Sequence, residues 1–232
     1  MANTSFSVRI RGQIACFTRP EFKVERMSYP VITPSAVRGV LEAVLWKPAI
    51  MWRVDRIAVL APIEFIAFRR NEVNTRAVIP SAAVIAGGGQ HAPYYADDDR
   101  NRAQRNTVAL RDVDYRIDAH FTMTERAGPD DNPIKFVEMF RRRLANGQNW
   151  QQPYLGCREF VADVSAVAED CPAPINETRD FGVMLWDIVY RKGANRPVFF
   201  AAQMNDGVIE VPPTAEAALA TLPRPAHSGG TG

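Results

Sequence analysis

The chain has 232 residues, of which 47% are apolar and 23% charged, proportions ordinary for a globular protein and enough for a substantial core. That length corresponds to one large domain or two small ones. No run of 18 apolar residues is present to cross a membrane, and the N-terminus lacks a signal-peptide core. Three cysteines (Cys16, Cys157, Cys171) are too few and too scattered for a disulfide framework or a zinc site, so a reducing cytoplasm is expected.

The net charge of +2 conceals a gradient. Residues 1–76 hold 12 basic and 6 acidic residues, residues 77–160 hold 11 of each, and residues 161–232 hold 5 basic and 9 acidic, giving +6, 0 and −4. Of the 28 basic residues 24 are Arg, the side chain suited to phosphate recognition, although high genomic GC content produces the same bias. A basic N-terminal third points to a polyanion, RNA first and DNA as a further candidate partner. Arg9, Arg11, Arg19, Lys23, Arg26, Arg38 and Lys47 are the candidate RNA-binding residues there.

Residues 5–16 alternate apolar (Phe6, Val8, Ile10) with polar (Ser7, Arg9, Arg11) and predict a half-buried strand. Residues 18–32, with Pro20 and Pro30, read as a loop or an irregular hairpin. Thr33-Pro34 supplies a cap and a first helical position, and Val37, Val40, Leu41, Val44 and Leu45 form an apolar stripe that ends at Lys47-Pro48. Residues 52–68 read as one long strand with a bulge or edge position at Pro62. Residues 69–105, containing Gly87-Gly88-Gly89 and Asp97-Asp98-Asp99, form a long excursion without periodicity.

Alternation returns over 107–123. Val113, Tyr115, Ile117, Ala119 and Phe121 face one way, and Asp112, Asp114, Arg116, Asp118 and His120 face the other. Asn132-Pro133 opens a second helix carrying Val137, Phe140 and Leu144, with Arg141-Arg142-Arg143 in its last turn and Gly147 as its stop. Residues 157–164 read as a further strand. The resulting β-α-β-β-α-β order predicts an α+β, ferredoxin-like (RRM-like) domain over residues 1–164 with 69–105 as an insert loop. Short strands near 183–190, 197–204 and 208–211 make a small β segment over 165–213, and residues 214–232 read as a flexible tail.

No phosphate-binding loop, dinucleotide fingerprint, nucleophile elbow or zinc-protease motif is present. The triple glycine reads as flexibility, the triple aspartate as a solvated loop tip, and Cys157 as an ordinary half-buried cysteine. His120 carries the side chain best suited to proton transfer near neutral pH, and stands beside Arg116 and Asp118.

The wording of the sequence goes further. The segments 15–29 (ACFTRPEFKVERMSY) and 33–48 (TPSAVRGVLEAVLWKP) resemble the N-terminal signature of a CRISPR-associated family, the type I-C "d" subtype of the fifth Cas family. Further matches run in order: 54–57 (VDRI), 69–73 (RRNEV), 104–107 (QRNT), 111–121 (RDVDYRIDAHF), 140–143 (FRRR) and 152–160 (QPYLGCREF). The resemblance implies an endoribonuclease that recognises the CRISPR repeat hairpin and cuts precursor CRISPR RNA without metal or cofactor. It then stays on the 5′ handle among the other subunits of the surveillance complex. The ribose 2′-OH attacks the adjacent phosphate, which calls for a base, a cation and an acid.

Active members of the family use a Tyr just before the Trp-Lys-Pro that ends the first helix, and a Lys-His pair near the start of the second. Here those positions are Leu45, Lys135 and Phe136, so only the Lys is kept. Two readings follow. In one, Lys135 clamps the phosphate and other groups take over. His120 is the substitute base, since it closes the strand just before the second helix and is expected within reach of Lys135. Tyr29, Lys47 and Arg141–Arg143 are further candidates, although an Arg cannot itself deprotonate at about pH 7. In the other, fast cleavage has been lost and an RNA-handle-binding subunit remains.

Overall fold

The computed structural model describes residues 4–22, 24–74, 78–88, 95, 97, 98, 100–191 and 194–223. Lys23, His91, Asp99 and His227 lie outside the described residues.

A single strand organises the molecule. The elements in chain order are β1 (Ser5–Ala15), β2 (Arg26–Met27), α1 (Pro34–Val44), β3 (Ile50–Val59), β4 (Glu64–Val73), α2 (Ala82–Ala86) and β5 (Arg102–Met123). They continue with α3 (Pro133–Ala145), β6 (Asp163–Ala166), β7 (Arg179–Arg191), β8 (Ala194–Asn205), β9 (Val208–Glu210) and α4 (Ala215–Ala220). The 22-residue β5 pairs along one side with β2 and then β1, and along the other with β4 and then β3. All but the two-residue β2 contact are antiparallel. The sheet order is β6-β1-β5-β3-β9-β8-β7, so the C-terminal strands extend the sheet beyond β3. No helix among the described residues is long and apolar enough to cross a membrane.

Both helices start as their caps predict. The Thr33 hydroxyl accepts from the Ala36 N–H, the Asn132 side chain accepts from the Lys135 N–H, and a proline follows each cap. They bury Val37, Val40, Leu41 and Val44 from α1 and Phe136, Val137 and Phe140 from α3. Phe6, Trp52, Phe121, Phe136 and Phe140 form an aromatic cluster with ring centroids 4.6 to 6.3 Å apart. Removing one such fully packed ring costs about 3–5 kcal/mol.

Several predicted elements shift. The strand expected over 52–68 is two, β3 and β4, both on the same edge of β5 and separated by the Pro62 segment, which has no ladder hydrogen to donate. The flanks of the 69–105 excursion pair with each other, Arg69 to Asn106 through Val73 to Arg102, and build an arm. Both faces of that arm are largely solvated, which erases the hydrophobic period that would reveal a strand. The strand expected at 157–164 starts later, at Asp163, because residues 153–162 turn back on themselves through the Tyr154–Val161 bridge. Gly156 is required in that turn: φ is +82°, and a Cβ would lie 2.0 Å from the Cys16 carbonyl oxygen. The expected flexible tail begins with a helix, α4, whose N-cap Thr214 accepts from Ala217 and whose Ala218 is buried.

Candidate nucleic-acid interface

The alternation of β5 separates the two groups that the sequence reading combined. Phe121 faces the helices, with its ring 6.3 Å from that of Phe136 on α3. His120 therefore points to the opposite, open face of the sheet, away from the helix that carries Lys135. The sequence reading places His120, at the end of the strand before the second helix, within reach of Lys135; this geometry corrects it.

On the open face, His120 Nδ1 sits 2.8 and 2.9 Å from the two carboxylate oxygens of Asp55. Asp55 is the extra residue of a β-bulge, since the β3–β5 register jumps between Val54 and Arg56, and the bulge aims its carboxylate at the ring. Arg53 lies directly across the register from His120. Much of the rest of this face is ion-paired, although among the described residues Arg53 and Arg116 have no ion pair. Arg9 grips Asp114 with two nitrogens at 2.9 and 2.5 Å, Arg11 meets Asp163 at 2.5 Å, and Arg56 meets Glu210 at 2.8 Å. The Ser7 hydroxyl donates to Asp118 at 2.5 Å. An open concavity of about 450 Å³ lies here, lined by Ser5, Ser7, Asp55, Arg56, Asp118 and Glu210.

Most of the other predicted RNA-binding residues are also neutralised. Arg38 bonds Asp187 with two nitrogens at 3.0 and 2.7 Å and Glu42 at 2.8 Å. Arg26 reaches Glu72 at 3.4 Å and the Cys157 sulfur at 3.6 Å. Arg19 stacks on the Tyr29 ring at 5.0 Å, with Glu21 at 3.8 Å. Lys23 lies outside the described residues. Tyr29 is buried, and burial first, then the Glu21 charge, pushes its phenol up, away from use as a base near neutral pH. Cys157 is buried and its thiol donates to the Cys16 carbonyl at 3.9 Å; the neighbouring Cys16 side chain, and then burial, push that thiol up.

The second region is the junction between the end of α1 and the start of α3. Segment 43–49 is pinned from several directions. Leu45 N–H donates to the Leu41 carbonyl, the Trp52 indole N–H donates to the Leu45 carbonyl at 3.0 Å, and the Arg143 guanidinium donates to the Val44 carbonyl at 2.5 Å. The Thr124 hydroxyl donates to the Pro48 carbonyl at 2.6 Å, and the Thr124 N–H to the Ala49 carbonyl at 2.9 Å. Thr124 leads into α3, so this stitching brings Lys47 towards Asp131 and Lys135.

Lys135 occupies the first turn of α3, where the helix dipole is positive and a cation is unfavourable for stability. One carboxylate, Asp131, compensates it, with Nζ to Oδ1 at 2.9 Å. The Lys135 hydrogen bond, then the Gly128 N–H, and Lys47 at longer range hold the Asp131 carboxyl below its ordinary value. The dipole end of α3 and the ammonium groups of Lys135 and Lys47 give this corner groups that suit an anion.

The other two family positions lie behind this corner. Leu45 and Phe136 are both buried in the core, and neither can move a proton. Arg143 is tied to α1, and Arg141 and Arg142 are exposed near the far end of α3. Sequence reasoning missed Asp55, whose role depends on a bulge, and two exposed indoles beside the junction, Trp46 and Trp150. Trp46 stood inside the quoted signature, but nothing in the apolar spacing distinguishes an exposed indole from a core one.

An antiparallel α/β sheet carrying a cationic corner between its helices defines the class, and the comparisons give the family. A model of the CRISPR-associated Cas5 family, in its Cas5d form, matches residues 6–212. The chain is 46% identical over 222 residues to the CRISPR pre-crRNA endoribonuclease Cas5d of Mannheimia succiniciproducens, covering 92% of this chain and 96% of that one. It is 39% identical over 224 residues to the protein of the same name from Thermus thermophilus, covering 88% and 90%. A solved structure described as a CRISPR-associated protein superimposes with a TM-score of 0.64 at 24% identity over 89% of this chain and 90% of that one. The chain belongs to the Cas5d family.

Proposed function

We propose that this chain binds the CRISPR repeat hairpin in the cytoplasm and cuts precursor CRISPR RNA at the α1–α3 junction. It then remains on the 5′ handle with the other subunits of the surveillance complex. The observation that carries this reading is the Lys135 ammonium, held at the positive end of α3 towards Lys47, at the one position of the family's site that the sequence resemblance finds kept. The names of the two relatives, both pre-crRNA endoribonucleases, support it. The order β6-β1-β5-β3, with α1 and α3 as the connections, supports a ferredoxin-like reading of this part of the chain, with β7–β9 as the C-terminal β segment.

In the reaction the 2′-oxygen bonds to the adjacent phosphorus and the bond to the 5′-oxygen breaks, giving a cyclic phosphate and a 5′-OH end. The two lysines offset the charge that builds on the phosphoryl oxygens, and an ammonium returns a proton to the leaving oxygen. Leu45 and Phe136 cannot accept the 2′-OH proton, which therefore passes to solvent. No metal enters this scheme.

The burial of Leu45 and Phe136 also favours a second reading, an RNA-handle-binding subunit that cuts slowly or not at all. Incubation with the host's repeat RNA in EDTA separates the two. A single cut at the hairpin base supports the nuclease. Tight, salt-dependent binding with intact RNA after hours supports the binding subunit.

A further inference from the structure

The chain has four tryptophans, and they divide into two pairs. Trp52 and Trp186 are buried, and each indole N–H donates to a carbonyl, Leu45 at 3.0 Å and Pro212 at 2.8 Å. This is how a core accommodates an indole. Trp46 and Trp150 are 51% and 65% exposed, and among the described residues neither indole N–H has a hydrogen-bond partner. Core packing explains the first pair and leaves the second unexplained.

The exposed pair shares one location. Trp46 follows Leu45, the residue that closes α1, and precedes Lys47. The backbone N–H groups of Trp150 and Gln151 both donate to the carbonyl of Ala43, at 2.8 and 3.1 Å, which anchors the second indole to the same last turn of α1. The backbone beneath both is the pinned segment described above, so the rings are presented from a rigid base. Lys47 adjoins one of them, Lys135 lies across the junction, and the Arg143 guanidinium ends at Val44. Flat apolar rings among cations suit a single-stranded nucleic acid, whose bases stack while its phosphates are neutralised. A protein partner would also cover indoles, but it does not call for unbalanced positive charge at the same place.

We propose that Trp46, with Trp150 beside it, stacks on unpaired nucleotides flanking the scissile phosphate. Trp46 is thus a positioning residue that sets the register of the cut. The proposal rests on the repeat-RNA reading above and adds to it the elements that hold the bases rather than the phosphate.

The test crosses protein variants with RNA variants. Full-length wild type, Trp46→Ala, Trp46→Phe and Trp150→Ala are titrated with the host's repeat hairpin, made uncleavable by a 2′-deoxy nucleotide at the cut. The same hairpin is also prepared with single abasic sites at the nucleotides on either side of the cut. Trp46→Ala is expected to weaken binding roughly tenfold, with Trp46→Phe retaining most of the affinity. One abasic RNA is expected to weaken wild type by the same factor and Trp46→Ala no further. With cleavable RNA, Trp46→Ala should spread the cut over neighbouring bonds. The stacking proposal is overturned if Trp46→Ala and Trp150→Ala bind like wild type, or if the protein and abasic losses multiply. It is equally overturned if these variants lose only the association with partner subunits. Wild type that binds and cuts the repeat while indifferent to Trp46 leaves the nuclease reading intact. Wild type that neither binds nor cuts removes both.

Discussion

The open sheet face and the α1–α3 junction both carry basic residues, and they differ in what those residues have to spare. On the sheet face Arg9, Arg11 and Arg56 each meet a carboxylate from a neighbouring strand. Cross-strand pairs of this kind hold register and leave little net field. At the junction, Lys135 at the N-terminus of α3 pairs with Asp131, and Lys47 acts on the same carboxylate from farther away. Basic composition and free positive charge are therefore different quantities. Folding brings the acidic C-terminal part of the chain to the basic N-terminal part, through Arg38–Asp187, Arg56–Glu210 and Arg11–Asp163. These three pairs offset half of the +6 of the first 76 residues.

The largest expected effect breaks the two regions apart. Lys135→Ala should slow single-turnover cleavage in EDTA by about 100- to 1,000-fold, the usual consequence of removing one donor from a developing charge. Its melting temperature should change little, because the lost Asp131 ion pair is offset by removing a cation from the positive end of a helix dipole. Arg9→Ala on the sheet face should leave the cleavage rate where it was. Equal losses at the two positions would mean that the open face, with His120 and Asp55, takes part in the reaction. The next effect concerns stability. Arg38→Ala leaves Asp187 half-buried without its two-nitrogen partner, and should cost about 1.5–3 kcal/mol in denaturant unfolding with repeat affinity retained. Lost affinity without lost stability would return Arg38 to the RNA interface.

The pattern of what was legible follows the same division. Thr33-Pro34 and Asn132-Pro133 declare their helices because a cap and a proline act locally. β1 and the second half of β5 declare themselves because one face is buried and one is wet. The arm made by β4 and the first half of β5 was hidden, since with both faces in water Arg69-Arg70-Asn71-Glu72 has no reason to alternate. In the site, Lys135 and its cap could be read directly. The alternation that placed Asp114, Arg116, Asp118 and His120 on one face already carried His120 away from α3, and chain proximity to the helix was the wrong guide. The partners Asp187, Glu210 and Asp163 are separated from their arginines by about 150 positions, a pairing that only the sheet order reveals.

Two smaller measurements sharpen the comparison. Lys47→Ala should reduce the slope of log affinity against log salt by about one, the loss of one released counterion, whereas Arg11→Ala should leave that slope in place. The smallest effect belongs to Asp131, whose carboxyl is held below its ordinary value chiefly by Lys135. A carboxyl lowered in the folded state stabilises the fold above its unfolded value of roughly 4, and that contribution is lost as the pH falls through the folded value. Asp131→Asn should therefore melt slightly below wild type at pH 7, and the gap should narrow as the pH falls below about 4. At pH 7 the same variant frees the Lys135 ammonium from its only described carboxylate and should bind repeat RNA somewhat more tightly. Weaker binding would instead show that Asp131 aims Lys135 at the phosphate, making the junction a preorganised clamp and not merely a region of surplus charge.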